Sequence, residues 1–513
     1  MPDSVAAAKR TYNPRLKMST LAKILIVAAV AQTLAWAAPP NVLFIAIDDL
    51  NDWTGFLDGH PQAQTPNMDR LASKGVNFRN AHTAAPGCSP SRNALLFGIQ
   101  PFHSGLYPFY DTDKIDPAIV DRYTTLPQLF KESGYDTFAS GKIHHGTAWT
   151  YDKDGGRREW TEHNANKIAA LPPLVYAPDA GYVQGESRKM AFCPTTSPLE
   201  HHRDYATSEF GADVLNRQHS RPFFLAVGFH KPHLPFIAPM RFFELYQDGI
   251  EAPPVKTDDL ADVPWPARRN VRLNDDIRYR KQAAWEDVRR AYLASISWTD
   301  WNVGRVLDAL ESSPYSKNTI VVLWSDHGYH LGEKRSFRKF SLWEEATHVP
   351  FIIWDTREDA ETGRSTDEAV SLIDIYPTLA EMAGLEAPSY LDGASLVPFL
   401  ADVTYRRAEP AITTWGRGNY SVRTRDWRYV RYFDGSEELY NHADDPQEWL
   451  NLAGDPVMAK QKKELAAWLP EREVPLVVSG KASHSVFDAD QPDMAEFKQL
   501  WNDLKTTVSP PLE

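Results

Sequence analysis

The segment Asn41 to Ile47 is a nearly unbroken apolar run that ends in two aspartates, Asp48 and Asp49. A run without polar alternation suits a strand covered on both faces, as in the middle of a parallel sheet. The same grammar recurs along the chain. Thr65-Pro66 opens a helix, with the threonine as N-cap and the proline in the first turn, and Gly75 closes it. Leu126 to Ser133 reads as a helix stopped by Gly134, and Tyr135 to Ser140 as the strand leading into Gly141-Lys142-Ile143-His144-His145-Gly146. Pro222 to Gly228 is a strand that leads into Phe229-His230-Lys231-Pro232-His233. A long helical stretch from Ile277 to Ser312 precedes the strand Thr319 to Trp324, which runs into Ser325-Asp326-His327-Gly328. Alternating strands and helices predict an open, mostly parallel α/β sheet flanked by helices.

Four strand ends thus deliver Asp48 with Asp49, Lys142 with His144 and His145, His230, and Asp326 with His327. In open α/β sheets ligands bind in the crevice beyond the carboxyl ends of the strands, so these distant groups are expected to converge. From Ala411 the pattern changes to short strands, Ala411 to Trp415, Tyr420 to Thr424 and Arg428 to Tyr432, with turns at Arg425-Asp426 and Asp434-Gly435. That predicts a small antiparallel subdomain with a helix around Ala459 to Leu469 and a surface excursion from Ser479 to Gln491. The expected division is an α/β domain over 38–405 and a C-terminal subdomain over 406–513.

Residues Ile24 to Ala37 follow a basic start and close on Ala35-Trp36-Ala37, which reads as a secretory signal peptide over 1–37, with Met18 as an alternative start. The run is shorter than the roughly 20 residues of a spanning helix, so no membrane span is expected in the mature protein, and a secreted or periplasmic location follows. Export makes a bridge between the only two cysteines, Cys88 and Cys193, the bland reading of their number, but the sequence around Cys88 argues against it. A net charge of −13 disfavours nucleic acid as a partner. Any sulfate or phosphate site must therefore be locally basic.

Asp48, Asp49 and Asp326 offer hard oxygen ligands, and clustered carboxylates repel one another unless a cation neutralises them. Calcium or magnesium suits such oxygens, while zinc would suit a shell dominated by His327 and other imidazoles. Cys88-Ser89-Pro90-Ser91-Arg92 reads as a helix start, with Ser89 placed to cap and Pro90 in the first turn. Cys88 and Arg92, four apart, share one face. Free backbone N–H groups at a helix tip and a guanidinium fork together suit a tetrahedral oxyanion.

At these residues the chain resembles the type I sulfatases of the alkaline phosphatase superfamily. Cys88-x-Pro90-x-Arg92, followed by Leu95, Leu96 and Gly98, is similar to the motif whose cysteine a dedicated maturation enzyme oxidises to formylglycine. Asp48-Asp49, Gly141-Lys142 and Asp326-His327-Gly328 follow in the order of that family, and the resemblance runs from Asn41 to Ala453. Within the family it is nearest to iduronate-2-sulfatases. Phe229-His230-Lys231-Pro232-His233-Leu234-Pro235-Phe236, Lys339-Phe340-Ser341 and Ala346-Thr347-His348-Val349-Pro350 carry that likeness. The resemblance implies an alkaline-phosphatase-like fold and one calcium ion per subunit, held by Asp48, Asp49, Asp326, His327 and the modified Cys88. It implies sulfate binding by Arg92, Lys142, His230 and Lys339. It also implies a histidine after Lys142 that assists the nucleophile, either His144 or His145, the latter standing at the usual spacing. The implied substrate is a sulfated carbohydrate, with uronate-containing or galactose-based polysaccharides as first expectations.

The implied chemistry is an in-line attack on sulfur by one hydroxyl of the hydrated aldehyde, with the basic residues and the metal neutralising the sulfuryl oxygens. Its second hydroxyl lets the enzyme-bound sulfate depart, an escape that an unmodified cysteine lacks. Two rivals share these residues: a phosphoesterase on the same scaffold, and a non-catalytic glycan-binding protein. Trp53, Trp149, Trp298, Trp324, Trp343 and Trp415 are candidates for sugar stacking, although Trp298 and Trp324 sit in regular elements and read as core. His348 reads equally as a hydrogen-bonding loop residue.

Overall fold

The apolar run that opens at Asn41 becomes the strand β1 (Asn41–Asp48), buried along its whole length. Val42, Phe44 and Ala46 pack into one core cluster, and Leu43, Ile45 and Ile47 into another on the opposite face. That two-sided burial is the physical reason for the missing polar alternation. The computed structural model describes residues 38–107, 117–145, 158–177, 181–182, 191–247, 249–271, 273–357 and 363–477. The expected signal peptide over 1–37, the Ser479 to Gln491 excursion, Gly146 and Trp149 lie outside the described residues. Described residues from Pro40 onward belong to one compact unit. Among the described residues no helix is long and apolar enough to cross a membrane.

The principal sheet has eight strands: β1, β2 (Val76–Phe78), β3 (Asp136–Gly141), β4 (Glu162–His163), β5 (Phe223–Pro232), β6 (Thr319–Ser325), β7 (Phe351–Asp355) and β8 (Arg364–Thr366). Their order across the sheet is β8-β2-β7-β6-β1-β5-β3-β4. β1 is central and parallel to both neighbours, β6 and β5, while β7 runs antiparallel to β6 and to β2. The sheet is therefore mostly parallel, as expected, with one reversed strand. The reversal has a simple cause: the chain between β6 and β7 stays at the carboxyl end of the sheet, where it carries Asp326 to Lys339, and so re-enters from that end.

Two helices predicted as one are separate. α5 (Leu273–Lys281) and α6 (Trp285–Ser312) are divided by a turn in which Ala283 has φ 50°. Nothing in Gln282-Ala283-Ala284 opposes a helix, so the break is tertiary. Trp285 donates its indole N–H to the Leu331 carbonyl at 2.8 Å, and the Arg280 guanidinium lies 3.8 Å from the centre of its ring. The helix α2 (Cys88–Phe97) begins two residues earlier than the capping argument placed it. Extended Gly87 takes the N-cap position, and Ser89 lies inside the first turn.

The expected C-terminal strands are present as β9 (Ala411–Thr414), β10 (Tyr420–Arg423) and β11 (Trp427–Arg431), joined by an unforeseen fourth, β12 (Glu437–Asn441), in one antiparallel sheet. Arg428 of β11 is fully buried and ties this sheet to the segment after Lys339. It donates to the Leu342 carbonyl at 2.9 Å and the Thr347 hydroxyl at 3.0 Å, and pairs with Glu344 and, at 2.5 Å, with Glu448. Removing one partner from a buried ion network strands the opposite charges, which costs about 3–5 kcal/mol. Arg428→Ala is therefore expected to lower stability by about that amount in urea unfolding. A loss below about 1 kcal/mol would show the network to be dispensable.

Candidate active site

The strand ends meet. Asp48 closes β1, Lys142 follows β3, His230 lies near the end of β5, and Asp326 and His327 follow β6. β3 and β5 come together backbone to backbone at the site. A Cβ on Gly141, which has φ 77°, would fall 1.9 Å from the Gly228 carbonyl oxygen, and one on Gly228 would fall 2.1 Å from that of Lys142. Only glycine fits at this crossing, which delivers Lys142 and His230 to the same place.

Cys88, at the tip of α2, is 1% exposed. Its Sγ lies 3.2 Å from His327 Nε2, 3.2 Å from Lys339 Nζ and 3.7 Å from Asp49 Oδ1. Lys339 Nζ is 2.5 Å from Asp49 Oδ1, and Lys142 Nζ is 2.5 Å from Asp48 Oδ2. The Arg92 Nε donates to Asp326 Oδ2 at 2.7 Å, and its Nη1 to the carbonyls of Lys142 and Ile143. Three carboxylates and three permanently cationic side chains thus interleave inside the protein. His327 Nδ1 donates to the Gly328 carbonyl at 2.9 Å, which leaves Nε2 as the atom facing Cys88 and Asp49.

Burial opposes charge on Asp48 and Asp49, yet the cations win. Lys142, His233 and Arg92 hold Asp48 well below the usual carboxylate range, and His233 and Lys339 hold Asp49 at about 2. Burial is the largest single influence on Lys142 and Lys339 and lowers both, but the combined pull of Asp48, Cys88 and Asp326 on Lys142, and of Asp49, Cys88, Asp48 and Asp326 on Lys339, leaves both above the ordinary amine value. Burial raises the Cys88 thiol well above its ordinary value and lowers His230 and His327.

The cluster could hold a cation, with three carboxylates as oxygen donors beside an imidazole and the side chain of residue 88. Ligand atoms of Asp48, Cys88, Asp326 and His327 all lie within 4.8 Å of one another, as do those of Asp48, Asp49, Cys88 and His233. Asp48 Oδ1 and Arg92 Nη2 are buried without a hydrogen-bond partner and stand 3.6 Å apart. A bare carboxylate oxygen at zero exposure is a place for added positive charge. A second group of possible ligands, Glu344, His442 and Glu448, lies away from the strand ends beside Arg423 and Arg428.

Sequence-expected residues Asp48, Asp49, Cys88, Arg92, Lys142, Asp326, His327 and Lys339 therefore sit in one cluster, with His230 Nδ1 3.8 Å from Asp48 Oδ2 at its rim. His144 turns elsewhere: it is buried, with Nε2 2.8 Å from Glu159 Oε2. His145 is half-buried at the edge of the described segment. His233 belongs to the rim too, its Nε2 3.9 Å from Asp49 Oδ2 and its ring 5.1 Å from that of His230. The one sequence signal for a role of His233 is its spacing of three from His230. Asp204 holds the backbone at His230, accepting the N–H groups of His230 at 2.7 Å and Lys231 at 3.0 Å.

Other candidates are structural. Trp53, Trp298, Trp324, Trp343 and Trp415 are all at most 2% exposed, so none offers a stacking face. His348 lies 2.7 Å from the Arg79 carbonyl, the loop role allowed for it. Cys88 and Cys193 are both free thiols, so the bridge does not form.

Comparison with known proteins agrees with this arrangement. The sulfatase family model matches residues 40–385, and the model of the N-sulphoglucosamine sulphohydrolase C-terminal region matches 332–474. A sulfatase of Formosa agariphila is 37% identical over 451 residues, which covers 84% of this chain and 86% of that protein. Iduronate 2-sulfatase of Homo sapiens is 31% identical over 391 residues, 68% of this chain and 70% of that protein. A solved structure described as a 2-O GAG sulfatase superposes with a TM-score of 0.62 at 25% identity, covering 84% of this chain and 91% of its own. With a family match spanning the whole principal sheet and a buried cluster of the required residue types at its carboxyl edge, the chain belongs to the sulfatase family and is a sulfuric ester hydrolase.

Proposed function

We propose that this sulfatase removes sulfate from a sulfated carbohydrate in the manner of iduronate 2-sulfatases, with residue 88 matured to formylglycine and one calcium ion beside it. The observation that carries the reading is the position of Cys88, on a helix tip within 3.2 Å of both His327 Nε2 and Lys339 Nζ and in contact with Asp49. Asp48, Asp49, Asp326, His327 and residue 88 would hold the ion. When bound, the ion supplies Lewis-acid polarisation, and formylglycine supplies an oxygen nucleophile. Lys142 and Lys339 bind sulfuryl oxygens, Arg92 anchors the floor through Asp326 and the loop carbonyls, and His230 closes the rim. The engagement of His144 with Glu159 favours His145 as the histidine that assists the nucleophile. A formylglycine-generating enzyme is the implied maturation partner, and export to the periplasm or medium the implied location.

Mass analysis of the tryptic peptide Asn80–Arg92 tests the modification. The active protein should carry an aldehyde at residue 88, and an intact thiol in fully active protein would refute the proposal. Turnover of aryl sulfate beside aryl phosphate tests the ester, since a large phosphate preference would move the reading to a phosphoesterase. Defined sulfated saccharides, with and without 2-O-sulfated uronate, then test the substrate. Chelation is expected to abolish turnover, with calcium restoring it better than magnesium because several carboxylates, each able to bind through one or two oxygens, suit a larger, flexible coordination shell. Full activity in chelator would remove the metal from the account.

A further inference from the structure

Consecutive residues on a strand point to opposite faces, so Asp48 and Asp49 in extended backbone could not both reach one ion. The chain solves this with a left-handed residue: Asp49 has φ 64°, and its carboxylate joins that of Asp48 in the cluster. Left-handed backbone is uncommon outside glycine, although aspartate tolerates it better than most, and it persists where surrounding bonds fix it. Three buried groups from distant elements do so here. The Asp49 N–H donates to Asp326 Oδ1 at 3.1 Å, and the Leu50 N–H to the Ser325 hydroxyl at 3.1 Å. The Tyr292 hydroxyl, from α6, spans the turn by donating to the Asp49 carbonyl at 2.7 Å and accepting from the Asn51 N–H at 3.0 Å.

We propose that Tyr292 is a positioning residue of the sulfatase site: its hydroxyl locks Asp49 in the left-handed conformation that brings the second carboxylate to the cation. Its ring touches none of the reacting groups. Tyr292 is fully buried, packed edge-on to Trp53 and Phe236 and stacked on Tyr329, so its hydroxyl is aimed by the core rather than by the site. The inference rests on the metal reading above. Groups that orient a metal ligand change affinity by roughly tenfold to a hundredfold when removed.

The test compares wild type with Tyr292→Phe, which deletes one oxygen and keeps the packing. Tyr246→Phe is the control, because it deletes another buried hydroxyl that contacts α6 through Ser297 at 2.6 Å, away from the cluster. Thermal unfolding of each mature protein is followed in chelator and across a calcium chloride titration, alongside turnover. Tyr292→Phe should need about tenfold or more calcium for half-maximal stabilisation. Tyr246→Phe should lower the melting temperature equally at every calcium level. An unchanged calcium requirement in Tyr292→Phe overturns the positioning role, whatever its melting temperature. A wild-type protein with no calcium-dependent stabilisation overturns the metal reading, and the inference with it.

Discussion

Cys88→Ala is expected to reduce sulfate ester turnover by roughly four to six orders of magnitude, the loss typical of a nucleophile that acts as one unit with its neighbours. The substitution removes only a sulfur from a cluster that also holds Phe340, Leu342, Trp343 and Trp415, so the fold should survive. Arg92, Lys142 and Lys339 remain, and the variant should still bind sulfate esters while failing to cleave them. The measurement is kcat/KM on an aryl sulfate together with product binding. Activity within about a hundredfold of wild type would place the nucleophile elsewhere.

Substitution of Asp326 should have the next largest effect, and the choice of residue separates chemistry from folding. Asp326 is fully buried, pairs with the Arg92 Nε at 2.7 Å and accepts the Asp49 N–H at 3.1 Å. Asp326→Ala leaves the guanidinium short of a partner and frees the backbone N–H that helps hold the Asp49 turn. Stability should fall by about 3–5 kcal/mol along with activity. Asp326→Asn keeps an oxygen for that N–H but not the charge. Turnover should fall by at least roughly a hundredfold and bound metal should be lost, with a smaller drop in melting temperature than the alanine variant shows. Near-normal turnover in the asparagine variant would contradict the metal placement.

Much of the scaffold was legible because burial leaves a periodic trace. The unbroken run of β1, the glycine stop after Ser133 and the short alternating strands after Ala411 each reported local conformation correctly. Tertiary contacts overrode the rest. The split between α5 and α6 comes from Trp285 meeting Leu331 across the fold, and the reversed β7 from a connection that never leaves one end of the sheet. β12 was missed because Glu437-Glu438 reads as solvated, whereas Glu438 is buried and bonded to Trp343, Tyr432 and Tyr440.

Residue order and type alone determined that this chain carries a sulfatase motif, and that Asp48, Asp49, Lys142, Asp326 and His327 stand at strand ends. Those are local properties, written in apolar runs and the residues that interrupt them. Facing was decided only in three dimensions. Asp49 joins Asp48 because Asp326, Ser325 and Tyr292, each more than 240 residues away, take up the bonds of one left-handed turn. His144 leaves the site because Glu159 binds it, and His233 stands at the rim 3.9 Å from Asp49, two residues after the Lys231 N–H that Asp204 holds. A side chain's direction in a loop depends on partners remote in sequence, and no local pattern encodes them.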